Sequence, residues 1–220
     1  WDIVTAFYSV CGFALSPRLS LHDPTHPEKY LGDRVTWERA EQELRDIVRE
    51  KGAEAAEARG EAAFYGPKVD FMAHDSLGRK WQVATIQLDM NQPERFDLSC
   101  VNEKGEKERI VMIHAAIMGS LERYLSILIE HYAGAFPLWL APVQVKILPI
   151  GESHRAYAEE VYEALRIAGI RAELDRSDET LGKKIREWKV QKIPYALVIG
   201  DKEVADNVVT LESRDSGHQG

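Results

Sequence analysis

Cysteine is scarce in this chain. Cys11 and Cys100 are the only two in 220 residues, too few for a disulfide framework, and a reducing compartment such as the cytoplasm is expected. Long apolar runs are also missing. None reaches the roughly 18 residues that a membrane span needs, so no membrane partner is expected. Positive charge is outnumbered, with 28 Lys plus Arg against 36 Asp plus Glu and a formal net charge of −8. That balance argues against a nonspecific nucleic-acid wrapper but leaves room for a local basic patch. The opening stretch WDIVTAFYSVCGFAL lacks a positive leader and a small-residue cleavage site, so it reads as part of a fold. It also lacks an initial Met, which predicts an internal piece of a longer protein. No long repeat or low-complexity tract interrupts the chain.

What is present suffices for a sizeable core, since 45% of the residues are hydrophobic and the length fits one large domain or two small ones. Residues 136–143, FPLWLAPV, carry Pro137 and Pro142, which break helix and strand patterns in turn and place a boundary at Ala141. Beyond it the pattern alternates. VQVKILPI reads as a strand, residues 154–168 as a helix with Val161 and Leu165 inward, and IRAEL as a second strand. Residues 180–190 read as a second helix, YALVIG as a buried strand and VVTLES as the last. Helices covering a sheet make this a small α/β domain. Before the boundary, TWERAEQELRDIVREK predicts an amphipathic helix over 36–51 with Trp37, Ala40, Leu44, Ile47 and Val48 on its apolar side.

Two stretches of the first part carry candidate chemistry. In VMIHAAIMGSLER, residues 111–123, β-branched Ile110, Val111 and Ile113 predict a strand ending at His114. The spacing of Ile117, Leu121, Leu125 and Leu128 predicts a helix that follows it. A strand end passing into a helix sets His114 beside a crevice, with Gly119 and Arg123 one turn apart on one helix face. Gly119 permits close approach, and Arg123 offers a planar, always-charged group for a base or a phosphate. A histidine at the edge of the core is the structural alternative for His114. The second stretch is AAFYGPKVDFMAHDSLGRKWQVATIQLDM, residues 62–90. A turn at DSLG, 75–78, joins two antiparallel strands. Alternation puts Gln82, Ala84, Ile86 and Leu88 on one face and Val83, Thr85, Gln87 and Asp89 on the other. Tyr65 and Lys68 precede the paired strand and can overhang the same polar face, although an ordinary solvated surface has the same composition.

These two stretches, with SLERYLSILIEHYAGAFPLWLAPVQV after them, resemble the threonyl-tRNA synthetases of bacterial type, within the class II aminoacyl-tRNA synthetases. FYGPKVDF and WQVATIQLD match two of the family's motifs, and residues 111–123 match its motif 3. The segment PEKYLGD, 27–33, resembles the family's stretch after motif 2, with His26 where arginine is usual. APVQV, AGIRAELD, LGKKIRE and IPYALVIGDKE resemble the anticodon-binding domain that threonyl, prolyl, histidyl and glycyl synthetases share. The resemblance covers the whole chain. It implies part of an antiparallel-sheet class II catalytic domain over residues 1–141, including motif 3, followed by a small α/β anticodon-binding domain over 142–220.

The implied activity is threonine–tRNA ligation. Threonine and ATP form threonyl-adenylate, and the threonyl group passes to the terminal adenosine of tRNA(Thr). The resemblance gives Arg123 to the adenine and γ-phosphate side of ATP and Gln82 and Thr85 to the adenylate and its ribose. Tyr65 would contact the threonine amino group, Gln87 would line the amino-acid and terminal-adenosine side, and Gly119 and Lys68 would belong to the same substrate site. An ion pair explains Lys68 and Asp70 equally well. His114 matches one of three protein ligands to a threonine-selecting zinc ion, the other two lying upstream, and magnesium would accompany ATP. The intact protein would be a cytoplasmic homodimer.

In the second domain Lys183, Lys184, Arg186 and Lys189 gather on one predicted helix with Lys192 just past it, and Ile185 and Val190 are left to face the sheet. Residues 143–220 hold 12 Lys plus Arg against 14 Asp plus Glu, while residues 1–142 hold 16 against 22. Asp178, Lys183, Lys184 and Arg214 are the candidate tRNA contacts, with a plain solvated helix face as the alternative for the lysines. The sequence also departs from the family's pattern. Val83 and Ala84 replace Cys-Gly, Ala62 replaces glycine, Ala115 replaces arginine, Asp178 stands where asparagine is common, and the tail keeps only Arg214. These departures motivate an alternative function, a catalytically impaired paralogue that binds tRNA or regulates another protein. A prolyl or glycyl identity fits less well, because neither uses a histidine at this place for a threonine-selecting zinc site.

Overall fold

The computed structural model describes residues 1–75 and 77–219, without the side chains of 217–219. It divides into two compact units, Trp1–Glu130 and His131–Gly220.

The first unit opens with helix α1 (Asp2–Val10), strand β1 (Leu15–Leu21), helix α2 (Arg34–Glu50) and strand β2 (Ala56–Arg59). The hairpin follows as β3 (Lys68–His74) and β4 (Lys80–Asp89), then α3 (Asn91–Arg95), β5 (Ser99–Val101), β6 (Lys107–Arg109), β7 (Met112–Ala116) and α4 (Leu121–His131). One sheet runs in the order β2-β1-β3-β4-β7, and β5 pairs with β6 separately. All neighbours in the large sheet are antiparallel except β1 with β2. Part of the expected turn, Ser76, lies outside the described residues, but its frame is clear. Asp75 accepts hydrogen bonds from the backbone N–H of Leu77 and Arg79 and from Trp81 Nε1. Burial pushes the Asp75 carboxyl up, and hydrogen bonds from Trp81, Arg79 and the turn backbone outweigh it, holding the pKa down at about 2.

Strand pairing sorts the side chains onto two faces, because residues opposite one another point the same way. Leu19, Val69, Ile86 and Ala115 stand in one cross-strand row of the apolar face, with Leu21, Phe71 and Ala84 also buried. Two rows of the other face are polar. One reads Arg18, Asp70, Thr85, Ala116 and the next Ser20, Lys68, Gln87, His114.

Helix α2 starts two residues before the expected position, because the Asp33 side chain caps it by accepting from Thr36 N. Trp37, Ala40, Leu44 and Val48 are buried as the periodicity predicts, but Ile47 is 38% exposed. Glu41 takes part of the buried stripe instead, accepting from the backbone N–H of His22 and bonding its Nδ1.

The second unit contains β8 (Val145–Pro149), α5 (Arg155–Ile167), β9 (Ala172–Leu174), α6 (Leu181–Val190), β10 (Tyr195–Ile199), α7 (Asp201–Asp206), β11 (Thr210–Ser213) and β12 (Gly217–Gln219). Its sheet has the order β12-β11-β10-β8-β9, with the β9-β8-β10 part parallel. Alternation along β8 gives each helix a face. Val145 and Ile147 pack with Ala158, Val161 and Leu165 of α5, while Leu148 packs with Trp188 of α6. This is the expected α/β arrangement, with α7 added between the last strands. On α6 one expectation fails. Val190 is 71% exposed, and Trp188, two residues earlier, fills the position against the sheet beside Ile185. Among the described residues no helix is long and apolar enough to cross a membrane.

Candidate active site

Two fully buried carboxylates organise the polar face of the large sheet. Asp70 gathers groups from three strands. Ser20 Oγ donates to it at 2.7 Å and Arg18 Nη2 at 3.0 Å, Lys68 Nζ lies 3.1 Å away, and Gln82 Nε2 donates at 2.7 Å. Two cations on one carboxylate leave a net positive charge at a surface where Arg18 and Lys68 stay partly exposed. Anionic ligands suit such a place.

Gln82 reaches Asp70 through an irregularity that strict alternation misses. Phe71 pairs with Ala84 but Met72 with Gln82, so Val83 is the extra residue of a β-bulge. The bulge reverses the alternation, and Gln82 joins Thr85 and Gln87 on the polar face instead of opposing them. The bulged backbone is held on two sides. Tyr8 of α1 donates its hydroxyl to Val83 O at 2.9 Å, and a Cβ on Gly119 would lie 3.2 Å from the same oxygen.

Gly119 and His114 both stand elsewhere than the sequence pattern predicts. Gly119 precedes α4 and takes φ +64°, a left-handed conformation that suits glycine, so it is not a turn away from Arg123 on a helix face. The helix begins only at Leu121, with Ser120 Oγ accepting from Arg123 N at 3.3 Å in the manner of an N-cap. His114 is the middle residue of β7, because pairing with β4 continues to Ala116. Arg123 is exposed, and its Nη1 donates to Gln82 O at 3.3 Å, so this guanidinium sits at the Asp70 end of the face.

Asp89 organises the other end. Its Oδ2 lies 2.9 Å from His114 Nε2, and its Oδ1 accepts from the backbone N–H of Asn91 and Gln92 at the start of α3. An ionised carboxylate only accepts, so in a neutral His114 ring this contact favours the proton on Nε2 and the lone pair on Nδ1. Tyr65 completes this end. Its hydroxyl donates to Gln87 Oε1 at 3.0 Å, its ring meets His114 edge-on at 5.9 Å, and its carbonyl accepts from Asn91 Nδ2. Gly66 makes the close approach possible, since a Cβ there would fall 1.7 Å from Leu88 O.

Tyr65, Lys68, Gln82, Thr85, Gln87, His114 and Arg123 thus share one face. Thr85 Oγ1 and Arg18 Nε are buried without a hydrogen-bond partner among the described residues, capacity that a polar ligand can satisfy. Sequence reasoning passed over Arg18, and it treated Asp70 as one half of an ion pair. The Arg18–Asp70 register that reveals both is set by pairing between strands distant in sequence. Metal ligation receives partial support from geometry. His114 presents a free Nδ1 on a half-exposed ring, while no group of three His, Cys, Asp or Glu among the described residues could hold a metal ion. The donor set therefore fits one ligand of a shared site and not a whole site.

The candidate tRNA contacts of the second unit behave differently from one another. Lys184 is 3% exposed and donates to Pro149 O at 3.0 Å, with Asp175 3.9 Å away, so it is an internal strut and not free to meet a phosphate. Helical spacing alone does not separate it from its neighbours. Lys183 is exposed and paired with Glu179, which raises its pKa. Asp178 is exposed and bonded to Arg155. Arg214 is largely covered, donating to Phe136 O and Lys192 O and pairing with Asp215.

Comparison with known proteins assigns a class to this architecture. The tRNA synthetase class II core domain (G, H, P, S and T) matches residues 1–132, and the anticodon binding domain matches residues 144–220. The chain belongs to the class II tRNA synthetase core family. Among its relatives are threonine–tRNA ligases. That of Acetivibrio thermocellus is 50% identical over 219 residues and that of Carboxydothermus hydrogenoformans 47% identical over 219 residues. Each match covers 100% of this chain and 34% of the relative, so the chain spans about a third of the length of these relatives. A solved structure described as the RNA binding domain of threonyl-tRNA synthetase from Cryptosporidium parvum Iowa II superposes with a TM-score of 0.92 at 37% identity. It covers 99% of this chain and 55% of that one.

Proposed function

We propose that this chain is part of a threonine–tRNA ligase, with residues 1–141 contributing to the adenylate-forming core and residues 142–220 receiving the anticodon arm. The observation that supports the reading best is the continuous polar face that runs from Arg123 and Gln82 to Tyr65, Gln87 and His114. In the reaction the threonine carboxylate attacks the α-phosphate of ATP and pyrophosphate leaves; a ribose hydroxyl of tRNA(Thr) then takes the acyl group as it loses its proton, and AMP leaves. Charge develops on phosphate oxygens in the first step, so positioning donors matter more than an acid or base. Arg123, Lys68 and Gln82 are the donors at one end, with Asp70 holding Lys68 and Gln82 in place and Thr85 facing the same space. Tyr65 and Gln87 hold the amino acid at the other end.

Zinc, when bound, would supply a Lewis acid that accepts both the amino and the hydroxyl group of threonine, which valine cannot match. His114 Nδ1 would be one ligand, and Asp89 fixes the tautomer and the ring. Magnesium would accompany ATP, and the intact protein would act as a cytoplasmic homodimer.

Threonine-dependent pyrophosphate exchange by the full-length protein tests the reading. Arg123→Ala should lower the exchange about 100-fold. Stability should change little, because the residue is exposed on a helix and alanine is the better helix former. Near-normal exchange in that variant removes Arg123 from the site. No exchange by the unsubstituted protein favours the impaired paralogue, which Ala115 in place of arginine motivates.

A further inference from the structure

Tyr8 carries a hydroxyl that its helix does not need. It stands with Val4 on the buried side of α1, where phenylalanine would fill the same space with no polar atom to satisfy. The hydroxyl instead donates to Val83 O at 2.9 Å. Burial, and to a lesser degree Cys11, push the phenol's pKa up, so it remains a neutral donor.

Val83 needs that donor. As the extra residue of the bulge it has no register partner in β3, where pairing passes from Ala84 to Gln82, or in β7, where pairing starts at Thr85. A buried carbonyl left without a hydrogen bond is costly. The same stretch of backbone carries the Arg123 end of the polar face. Gln82 O accepts from Arg123 Nη1, and the Gln82 side chain donates to Asp70. A Cβ on Gly119 would lie 3.2 Å from Val83 O and 3.9 Å from Gln82 O, so the turn before α4 rests on both carbonyls. Helix α1 also backs α4. The ring of Tyr124, next to Arg123, lies 5.4 Å from Phe7 and 6.2 Å from Tyr8, and its hydroxyl is 3.1 Å from Cys11 Sγ. By contrast Thr85, Ile86 and Gln87 pair without interruption with β3 and β7. The strand ladder therefore holds Gln87 and His114, and Tyr8 is not needed there.

Resting on the threonine–tRNA ligase reading, we infer that Tyr8 is a positioning residue for ATP. Its hydroxyl fixes the bulge at Val83, and through the bulge it sets the direction of the Gln82 side chain and the carbonyl that anchors Arg123. It touches no substrate, and its effect is confined to the nucleotide end of the face.

The test uses the full-length protein and Tyr8→Phe, which removes one oxygen and keeps the ring. In threonine-dependent pyrophosphate exchange, kcat/KM for ATP should fall about fivefold, the loss appropriate to one hydrogen bond, while KM for threonine stays within about twofold. Val4→Ala removes volume from the same buried side and leaves the hydroxyl in place. It should lower the urea midpoint but keep kcat/KM for ATP within about twofold. Combined with Arg123→Ala, Tyr8→Phe should cost clearly less than it does alone, because one of the groups it positions is already gone. Unchanged kcat/KM for ATP in Tyr8→Phe overturns the inference. So does an equal effect on threonine and ATP, a matching loss in Val4→Ala, or full additivity with Arg123→Ala, each of which makes Tyr8 general support for the core. A Tyr8→Phe protein that does not fold assigns the hydroxyl to folding and overturns it as well. If the unsubstituted protein shows no threonine-dependent exchange, the ligase reading fails and this inference fails with it, an outcome separate from the others.

Discussion

Asp89 has no exposed surface and still commits both carboxylate oxygens to the candidate site, one to His114 and one to the first turn of α3. A buried carboxylate is tolerable only when such donors surround it. If His114 ligates zinc, His114→Ala should lower the zinc content of the full-length protein, and Asp89→Asn should weaken zinc affinity about 10- to 100-fold with the ligand still present. Equal stoichiometric zinc in His114→Ala and in the unsubstituted protein would remove the ligand assignment. Asp75 supplies a second residue-level prediction. Its folded pKa is held at about 2, below the ordinary carboxylate value, so the folded state binds its proton less readily than the unfolded chain. The stabilisation is fully present above the unfolded value near pH 4 and disappears as pH falls through about 2. In Asp75→Asn, urea titrations between pH 5 and pH 2 should show a flatter fall in stability than in the unsubstituted protein. Identical slopes would mean that Asp75 is not the group responsible.

At the level of elements, periodicity revealed α2, α4, α5 and α6, the hairpin and the strand and helix alternation of the second unit, since each buries a stripe or an alternation that repeats locally, whereas α1 and the short α3 and α7 were missed. It could not reveal what depends on pairing or on three-dimensional contact. The bulge at Val83 turns Gln82 to the polar face, and its fixation by Tyr8 and Gly119 involves residues far apart in sequence. Lys184 and Glu41 show the same limit. Both are charged residues on amphipathic helices, and each is buried because an acceptor or donor from another element awaits it. The FYGPK resemblance located Tyr65, but the reason for its glycine appears only in the fold. A methyl group on Gly66 would meet Leu88 O at 1.7 Å, so Gly66→Ala must displace the loop that carries Tyr65. We expect a stability loss of about 2 kcal/mol or more, with a clear rise in the threonine concentration needed for exchange. Gly119→Ala should also weaken the fold, by about 1 to 2 kcal/mol, through its left-handed φ, with its effect on exchange arising at the Gln82 and Arg123 end. Chemical denaturation and KM for threonine against KM for ATP separate the two, and matching profiles would contradict this division of the face.

On the scale of the whole molecule, the chain joins a core with a continuous polar sheet face to a unit whose candidate nucleic-acid surface is smaller than helical spacing predicts. With Lys184 internal, the exposed cations of α6 reduce to Lys183, Arg186 and Lys189, and Lys183 is already paired with Glu179. Few free cations imply that the second unit contributes modestly to phosphate binding and that its contacts weaken steeply with salt only in proportion to their number. Its proposed role is therefore selective placement of the anticodon arm, not bulk attraction. Removing residues 142–220 from the full-length protein should leave threonine-dependent exchange within a few fold, because the polar face is built wholly within Trp1–Glu130. The same deletion should raise the tRNA concentration needed for charging far more. A folded truncated protein that charges tRNA with unchanged concentration dependence would show that this unit does not receive the anticodon arm.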